Sequence, residues 1–305
     1  MYPFGGRTRF SILMTKPGLI TKGVGGLYTV LTDDGPYACY ARGLFRKGKK
    51  GRDRTATPLV GDRVTVLIDS EADRTGTVHT LQPRTNELIR PAVANIDRVI
   101  VTVAAAQPAF HPGLLDRFLV LAARAGVQAV VCVSKWDLAL GDGREAFQPY
   151  RMAGYEVVFT SVVRENGLDS LREIMAGKIS VFAGPSGVGK SSLINALLPG
   201  VGLEVGEISS KLKRGKHTTR AAEILPLGDA PAAGYVVDTP GFSSLETGDI
   251  PARDLAGYFQ EFVPFLGGCK FNDCLHARHD LHCAVKAQVG TAIHPARYES
   301  YLGLL

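Results

Sequence analysis

The first part of the chain alternates apolar and polar positions in short segments separated by glycine-rich turns. Four segments carry this pattern within residues 18–84: LYTVLT, YACYAR, DRVTVLI and GTVHTLQ. A period of two is typical of half-buried strands, and strands of this length and spacing favour a small antiparallel barrel. The pattern therefore predicts an OB-type β-barrel domain over residues 1–84.

After residue 91, continuous apolar runs alternate with stretches of helical periodicity. The runs predict strands at residues 98–104, 127–133, 156–160, 179–183 and 235–237, and the stretches between them predict helices at residues 114–125, 145–153, 168–175 and 190–198. Strands that alternate with helices indicate a parallel sheet covered on both faces. We expect this domain to span residues 85–247. Its long polar stretch between residues 198 and 235 has no strong period, which predicts a functional loop.

Beyond residue 247 the sheet pattern stops. Residues 255–265 are amphipathic, and residues 297–304 predict a closing helix. Between these segments lies a group of cysteine and histidine residues. The sequence therefore predicts a third, mostly helical domain over residues 248–305.

A glycine-rich sequence, GPSGVGKS, follows the strand at residues 179–183 and opens the next helix. It matches the P-loop pattern G-x-x-x-x-G-K-S, in which backbone N–H groups and a helix N-terminus surround phosphates. We expect Lys190 to reach the β- and γ-phosphates and the Ser191 hydroxyl to bind Mg²⁺. The predicted phosphate-binding residues are Gly184, Pro185, Ser186, Gly187, Val188, Gly189, Lys190, Ser191 and Ser192.

A second phosphate-related motif, DTPG at residues 238–241, ends the last apolar strand. The Asp238 carboxylate could hold the magnesium ion through its water shell, and the Gly241 amide could sense the γ-phosphate. A D-x-x-G sequence is weak evidence alone, but its place after a P-loop and a strand strengthens it. We therefore expect both residues in the nucleotide site.

The base that is bound is indicated by SKWD at residues 134–137, which follows a strand. It is similar to the N/T-K-x-D motif of GTPases, in which the aspartate accepts hydrogen bonds from guanine N1 and N2. Adenine lacks this pair of donors and would leave the Asp137 carboxylate unpaired. Lys135 is expected along the base plane, whereas Ser134 replaces the usual Asn and could weaken the tie to the P-loop. Thr160 and Ser161, in the sequence TSV, resemble the later guanine-contacting loop.

The order of these motifs is permuted. Ordinary GTPases have the P-loop first and the guanine motifs last, whereas here the guanine motifs come first. The same site can still form, because each strand can keep its place in the sheet. The expected fold is multidomain: an N-terminal OB-type β-barrel, a central circularly permuted α/β P-loop GTPase domain and a C-terminal, mostly helical, zinc-binding domain.

The C-terminal group has the spacing C-x₄-C-x-H-x₆-C and consists of Cys269, Cys274, His276 and Cys283. Three thiolates and one imidazole suit a closed tetrahedral zinc site of the structural type. Without a secretion signal, such a cluster favours metal over disulfides. We therefore expect one structural zinc per chain.

Charge and hydropathy limit the location and the partners. The formal net charge is +6, and basic residues concentrate at residues 42–54 and 211–217. One such run is usually a solvated loop, but two beside recognisable domains favour an RNA partner. The apolar runs are too short to cross a bilayer, and the N-terminus lacks the apolar block of a secretion signal. We expect a cytoplasmic protein.

Taken together, the motif order, the barrel before it and the metal cluster after it resemble the ribosome small-subunit-dependent GTPase A family. The resemblance covers residues 18–305 and rests on GPSGVGKSS, GKHTT, DTPGF and CKFNDCLH before CAVK. It implies hydrolysis of GTP to GDP and phosphate, with magnesium, late in small-subunit assembly. It also implies activation by the small ribosomal subunit, contact with its rRNA, no membrane association and a monomer.

The family pattern extends to the candidate hydrolysis residues and qualifies the zinc ligands. Thr219, or alternatively Thr218, should close over Mg²⁺, and His217 is the candidate for activating the attack, because Phe242 stands where many GTPases have a water-orienting Gln. The catalytic candidates are His217, Lys190 and Thr219. Family members usually have five residues between the zinc-binding His and the last Cys, and this chain has six. His279 and His282 therefore stay open as alternatives to His276.

Two other classes of function compete with this one. The first is a metabolic P-loop NTPase or kinase with a fused barrel, against which Asp137 and Phe242 argue. The second is an RNA-binding module with a degenerate nucleotide site, against which the intact Lys190, Ser191 and Asp238 argue. Competition between GTP and ATP would discriminate between a GTPase and the first of these alternatives.

Overall fold

The structure is a computed structural model that describes residues 14–42, 57–88, 92–199, 222–228, 230–238, 250–277 and 282–305. The chain divides into two compact units, Met1–Arg84 and Thr85–Leu305. The second unit contains both the predicted central domain and the predicted C-terminal domain. A boundary between those two at residue 247 therefore stays a prediction.

The first unit is a closed barrel of five strands. These are β1 (Thr15–Val24), β2 (Leu27–Thr32), β3 (Gly35–Ala41), β4 (Arg63–Ser70) and β5 (Thr75–Leu81). β1 pairs with both β2 and β4, and β5 joins β3 to β4, so the sheet closes. The predicted barrel is confirmed. The sequence pattern missed β1, because its proline and two glycines interrupt the alternation.

The second unit is built on a six-stranded sheet with helices, and it also contains a separate two-stranded hairpin. The hairpin consists of β6 (Glu87–Leu88) and β7 (Val93–Ala94). The strands of the sheet are β8 (Arg98–Ala104), β9 (Gln128–Ser134), β10 (Glu156–Phe159), β11 (Ile179–Ala183), β12 (Glu223–Pro226) and β13 (Tyr235–Asp238). The α-helices are α1 (Pro112–Arg124), α2 (Gln148–Met152), α3 (Leu168–Met175), α4 (Lys190–Leu197), α5 (Ala252–Leu255) and α6 (Pro295–Leu304). Short 3-10 helices lie at Trp136–Leu138, Gly143–Phe147, Pro231–Ala233, Ala256–Tyr258, Val263–Phe265 and Lys286–Gln288.

The strand order in the main sheet is β10-β9-β8-β11-β13-β12, and all pairs are parallel except β12 with β13. Every residue of β11 is buried, as expected of a strand covered on both faces. The predicted α/β architecture is confirmed. β12 lies within the polar stretch that predicted only a loop, because a strand of four residues leaves almost no periodic signal.

The helix predicted at residues 145–153 divides into a 3-10 helix, Gly143–Phe147, and the short helix α2. Pro149 lies in the first turn of α2. Proline has no N–H to donate and fits the first turn of a helix, so the α-helical geometry begins only at Gln148.

The C-terminal part of the second unit is fastened to α1 by a buried ionic cluster. Arg297 of α6 donates from Nε to Glu261 Oε1 over 2.6 Å and from a second nitrogen to Asp116 of α1. Arg297 and Asp116 are each 1 % exposed, and the guanidinium lies 4.7 Å from the Phe259 ring centroid. The charges can be buried here because each meets an opposite charge.

Removing one partner of this cluster should destabilise the second unit strongly. Asp116→Ala leaves the Arg297 guanidinium buried with less compensation, which typically costs about 3 to 5 kcal/mol. Urea unfolding followed by the fluorescence of Trp136, the single tryptophan of the chain, would measure the loss.

The matched control is Asp169→Ala, which removes an exposed ion pair with Arg172, since the two side chains are 93 % and 43 % exposed. Such pairs contribute less than about 1 kcal/mol. Equal losses of unfolding free energy in the two variants would contradict the role given to the buried cluster.

Candidate functional site

The candidate nucleotide site lies at the carboxyl ends of the parallel strands. β9 and β10 lie in succession on one side of β8, and β11 and β13 lie in succession on its other side. Ligands of open α/β sheets bind in the crevice where the strand order changes direction. The loops after β8 and β11, on either side of this point, are therefore placed to face one another.

Close packing of β11 against β8 positions the P-loop. Gly184, the first residue after β11, has φ +132°, and a Cβ there would lie 2.1 Å from the carbonyl oxygen of Thr102 in β8. No other residue fits this position without moving the strand. Gly187 and Gly189 also have positive φ, and Gly189 is the N-cap of α4. The loop conformation therefore depends on glycine at each of these three positions.

Lys190 lies within the turn of its own loop. Its Nζ donates to the carbonyl oxygens of Gly184 and Pro185, both over 2.7 Å. Burial lowers the pKa of Lys190 to about 8. An anion bound beside this partly desolvated ammonium gains more than it would from a solvated lysine, and it would raise that pKa again.

Two side chains of the SKWD sequence connect its loop to the P-loop. Ser134 Oγ bonds to the carbonyl oxygen of Val188, and it also lies 3.0 Å from that of Val103. Lys135 Nζ donates to Gly187 O over 2.7 Å and to Gln107 O over 2.5 Å. The tie that the Ser134 substitution was expected to weaken is therefore present, made by a hydroxyl in place of an amide.

The two predicted guanine loops are also held to each other. Ser161 Oγ donates to Asp137 Oδ1 over 2.5 Å, and the Trp136 amide donates to Thr160 O over 3.0 Å. These contacts fix the Asp137 carboxylate through one of its two oxygens, Oδ1. Thr160 is fully buried, and its amide donates to Val133 O over 2.7 Å. Thr160 thus supports the loop from within the sheet and positions Ser161.

The remaining predicted nucleotide residues divide into two groups. Ser191 and Ser192 lie half-buried in the first turn of α4, Pro185 and Ser186 lie in the P-loop before it, and Asp238 ends β13 at the same edge of the sheet. His217, Thr218, Thr219, Gly241, Phe242 and His279 lie outside the described residues, as do residues 211–217 and all of the basic run at 42–54 except Arg42.

Sequence reasoning missed Val103 and Gln107, which contribute to the site through their backbone carbonyl groups. Every residue has such a group, so side-chain type carries no signal for it. The positions could be found only from the course of the chain after β8.

The candidate metal centre brings the four predicted residues together. Cys269 Sγ, Cys274 Sγ and Cys283 Sγ lie 3.5, 3.6 and 3.4 Å from His276 Nδ1, and the Sγ atoms of Cys269 and Cys283 are 3.9 Å apart. Zinc bonds of about 2.3 Å to sulfur and about 2.0–2.1 Å to nitrogen would give tetrahedron edges of about 3.5 and 3.8 Å. The four candidate ligand atoms therefore have the spacing that a tetrahedral zinc ion requires.

The surroundings of the metal centre favour bound metal over disulfides. None of the five cysteines, all of them described, is in a disulfide. The amides of Ala284 and Lys286 donate to the sulfurs of Cys269 and Cys283 over 3.3 and 3.4 Å. Such bonds stabilise thiolates, and burial lowers the pKa of His276, which favours its neutral, ligating form. Of the described histidines, His276 belongs to this group and His282 does not.

A P-loop on a parallel sheet, joined to guanine-type loops that precede it in the chain, defines a circularly permuted GTPase. The sequence model of the RsgA GTPase family matches residues 81–248, and that of the RsgA N-terminal domain matches residues 17–78. The chain belongs to the RsgA GTPase family, whose members are GTP hydrolases.

Known relatives support this assignment along nearly the whole chain. A small ribosomal subunit biogenesis GTPase RsgA from Alkaliphilus metalliredigens is 43 % identical over 290 residues, covering 94 % of this chain and 96 % of the relative. Another, from Geobacillus thermodenitrificans, is 45 % identical over 294 residues, with the same coverage. These relatives support the GTPase interpretation and not the metabolic kinase alternative.

Solved structures give the same result. YloQ, a circularly permuted GTPase, matches with a TM-score of 0.76 at 36 % identity, covering 95 % of this chain and 94 % of its own. YjeQ from Thermotoga maritima matches with a TM-score of 0.80 at 36 % identity, covering 95 % and 97 %. Within the described residues, no helix combines the length and the apolar character needed to cross a membrane.

The bond from Ser161 to Asp137 should contribute to guanine affinity. Ser161→Ala frees the carboxylate to rotate and removes a hydrogen bond to a charged group, so GDP affinity should fall roughly tenfold, by about 1.4 kcal/mol. Binding of a fluorescent GDP analogue would measure it. The weak affinity for ADP, which lacks the guanine donors, should stay constant.

Ser180→Ala is the matched control, because the Ser180 hydroxyl is buried in β11 and has no hydrogen-bond partner in the described part of the chain. Its GDP affinity should equal that of the wild type. An unchanged affinity in Ser161→Ala would show that the bond does not support base recognition.

Proposed function

We propose that this chain binds the small ribosomal subunit and hydrolyses GTP to GDP and phosphate during the late assembly of that subunit. The observation that carries the proposal is the joining of the SKWD loop to the P-loop through Ser134 and Lys135. These contacts bring the guanine-type loop and the P-loop together in one site, although the two motifs occur in permuted order along the chain. Relatives with 43 and 45 % identity are named small ribosomal subunit biogenesis GTPases, which supports the choice of partner.

The proposal gives each predicted site residue a role. Asp137 accepts hydrogen bonds from guanine N1 and N2, held by Ser161 and Thr160, while Lys135 lies along the base and Ser134 ties the loops together. Lys190 and the P-loop amides bind the phosphates, and the contact with the γ-phosphate comes from Gly241. Ser191, Thr219 and, through water, Asp238 would hold a magnesium ion, which supplies positive charge to the phosphates.

Hydrolysis needs a group that orients water, and Phe242 cannot supply one. His217, beside Thr218 and Thr219, is the proposed catalytic group, because an imidazole can accept a proton or direct a water molecule. Because Phe242 cannot orient water, basal turnover should be slow. Contact with the small subunit should bring His217 into use and make turnover fast.

The barrel and the basic runs are the proposed contacts with ribosomal RNA. OB-type barrels bind single strands, and the basic run at residues 42–54 follows β3 in the sequence. We propose that the chain acts in the cytoplasm, as a monomer and without membrane association. The net charge of +6 agrees with a polyanionic partner.

Zinc is the metal proposed for the Cys269, Cys274, His276 and Cys283 site. Three sulfur ligands and one nitrogen at tetrahedral spacing suit zinc better than magnesium or calcium, which prefer oxygen. Four protein ligands leave no coordination position for a substrate, so the proposed role is structural. One zinc per chain would cross-link residues 269–283 to one another.

Elemental analysis should therefore find one zinc per chain. Cys283→Ser should lose it and lower the thermal midpoint of the second unit, because binding energy at such a site contributes to folding. Cys39→Ser, which changes a buried free cysteine of the barrel, should keep its zinc. Full zinc content in the Cys283→Ser protein would refute the ligand assignment.

Stimulation by the subunit is the decisive test of the proposed function. Purified small ribosomal subunits should raise GTP turnover at least roughly tenfold, and ATP should not replace GTP. Lys190→Ala should abolish turnover with and without subunits, since it removes the charge beside the β- and γ-phosphates.

Lys178→Ala is the matched control for this test. Lys178 has an exposed side chain just before β11, and its backbone bonds to Met175 O and to the amide of Tyr235. The variant should keep wild-type stimulation. Equal turnover of the wild type with and without subunits would refute the proposed function.

A further inference from the structure

A cavity of about 520 Å³ lies beside the metal centre, and none of the functions described above uses it. Three of the four metal ligands line it. The other lining residues include Arg253, Asp254, Gly257, Tyr258, Phe271 and Asn272. Its volume lies within the range of small-ligand sites and is far too small to hold a nucleic-acid duplex.

The lining combines exposed aromatic surface with polar groups. Phe271 is 49 % exposed, and the Lys270 ammonium lies 5.6 Å from its ring centroid. Within the described part of the chain, no hydrogen bond is recorded for the side chains of Arg253, Tyr258 or Asn272. The cavity therefore offers a stacking surface together with donors and acceptors that are available to a ligand.

We propose that this cavity binds one unpaired base of RNA, stacked on Phe271, with the flanking phosphates near Arg253 and Lys270. The source of that base is the RNA of the small subunit, so the inference rests on the proposed function. Proteins recognise unpaired RNA bases by stacking them on aromatic rings and by hydrogen bonding to their edges. Tyr258 and Asn272 supply the means for the second contact.

The negative groups of the lining favour a neutral base beside them, whereas the phosphates are favoured at Arg253 and at Lys270. Asp254 lines the cavity, and three thiolates with one Zn²⁺ give the adjoining metal site a net charge of −1. Both negative groups would repel a phosphate placed beside them. A neutral base would not be repelled, and its amino or imino hydrogens could be donated to the Asp254 carboxylate, as cytosine N4 is to carboxylates elsewhere.

Gly257 allows the cavity to be filled without disturbing the fold. A Cβ at Gly257 would meet no atom within 4 Å, so a larger side chain there has space to enter the cavity. Gly303, on α6 and outside the cavity, has the same free surroundings. Gly257→Leu therefore blocks the cavity, and Gly303→Leu is its matched control. Phe271→Ala removes the stacking surface without filling the cavity.

The test uses the full chain and a ten-nucleotide single-stranded RNA that contains one 2-aminopurine, whose fluorescence changes when it stacks on an aromatic ring. The wild type and Gly303→Leu should change the fluorescence. Gly257→Leu and Phe271→Ala should lose this change, or need roughly tenfold more protein to produce it, since stacking is a large part of such binding. Zinc content confirms that each variant is folded.

Each outcome decides between named alternatives. The barrel, proposed above as another contact for single strands, contributes equally in all four proteins. A fluorescence change in both cavity variants as large as that in the wild type therefore overturns the proposal. Variants that lose affinity for intact small subunits but keep the fluorescence change would show that the cavity binds a protein, which also overturns it. The proposed function is judged separately, by subunit-stimulated GTP turnover of the wild type and of Gly303→Leu, so its failure is distinguishable from failure of the cavity assignment.

Discussion

The approach of Gly184 to the carbonyl oxygen of Thr102 is the contact on which the nucleotide site depends. A Cβ at Gly184 would lie 2.1 Å from that oxygen, so only glycine lets β11 leave the sheet beside β8 at this point. This approach places Val188 and Gly187 within hydrogen-bond distance of Ser134 and Lys135. The geometry that would bind phosphate and the geometry that would bind guanine are thus set by one packing contact between neighbouring strands.

Because the site is a property of strand order in the sheet, it does not depend on order along the chain. β8, β9 and β10 come first in sequence, yet they lie in succession on one side of β11, with β8 next to it, as the guanine loops require. The permutation instead changes the segment to which β13 leads. After β13 the chain continues into the C-terminal segment, which packs back on α1 through Asp116 and Arg297.

The metal centre belongs to the same packed body as α1. Cys283 lies in an apolar cluster with Val120 of α1 and Tyr301 of α6. The hydroxyl of Tyr301 also donates to Leu275 O over 2.6 Å, and that of Tyr298 to His276 O over 2.6 Å. These two bonds hold the loop that carries Cys274 and His276, and the same loop lines the cavity beside the centre.

The sequence by itself determined the features that depend on local geometry. The P-loop, the alternation of strands and helices, the barrel and the Cys/His cluster each require particular residue types at short spacings, and such patterns can be read without a structure. Only the tertiary structure showed the roles of Gln107 and Val188, since backbone carbonyls carry no residue-type signal. It also distinguished His276 from His282 as the fourth member of the Cys/His group. The burial of Arg297 could not be predicted either, because the sequence does not show whether a charged helix residue faces water or an opposite charge 181 positions away. Those outcomes depend on which distant segments meet, and that is decided by the packing of the whole unit.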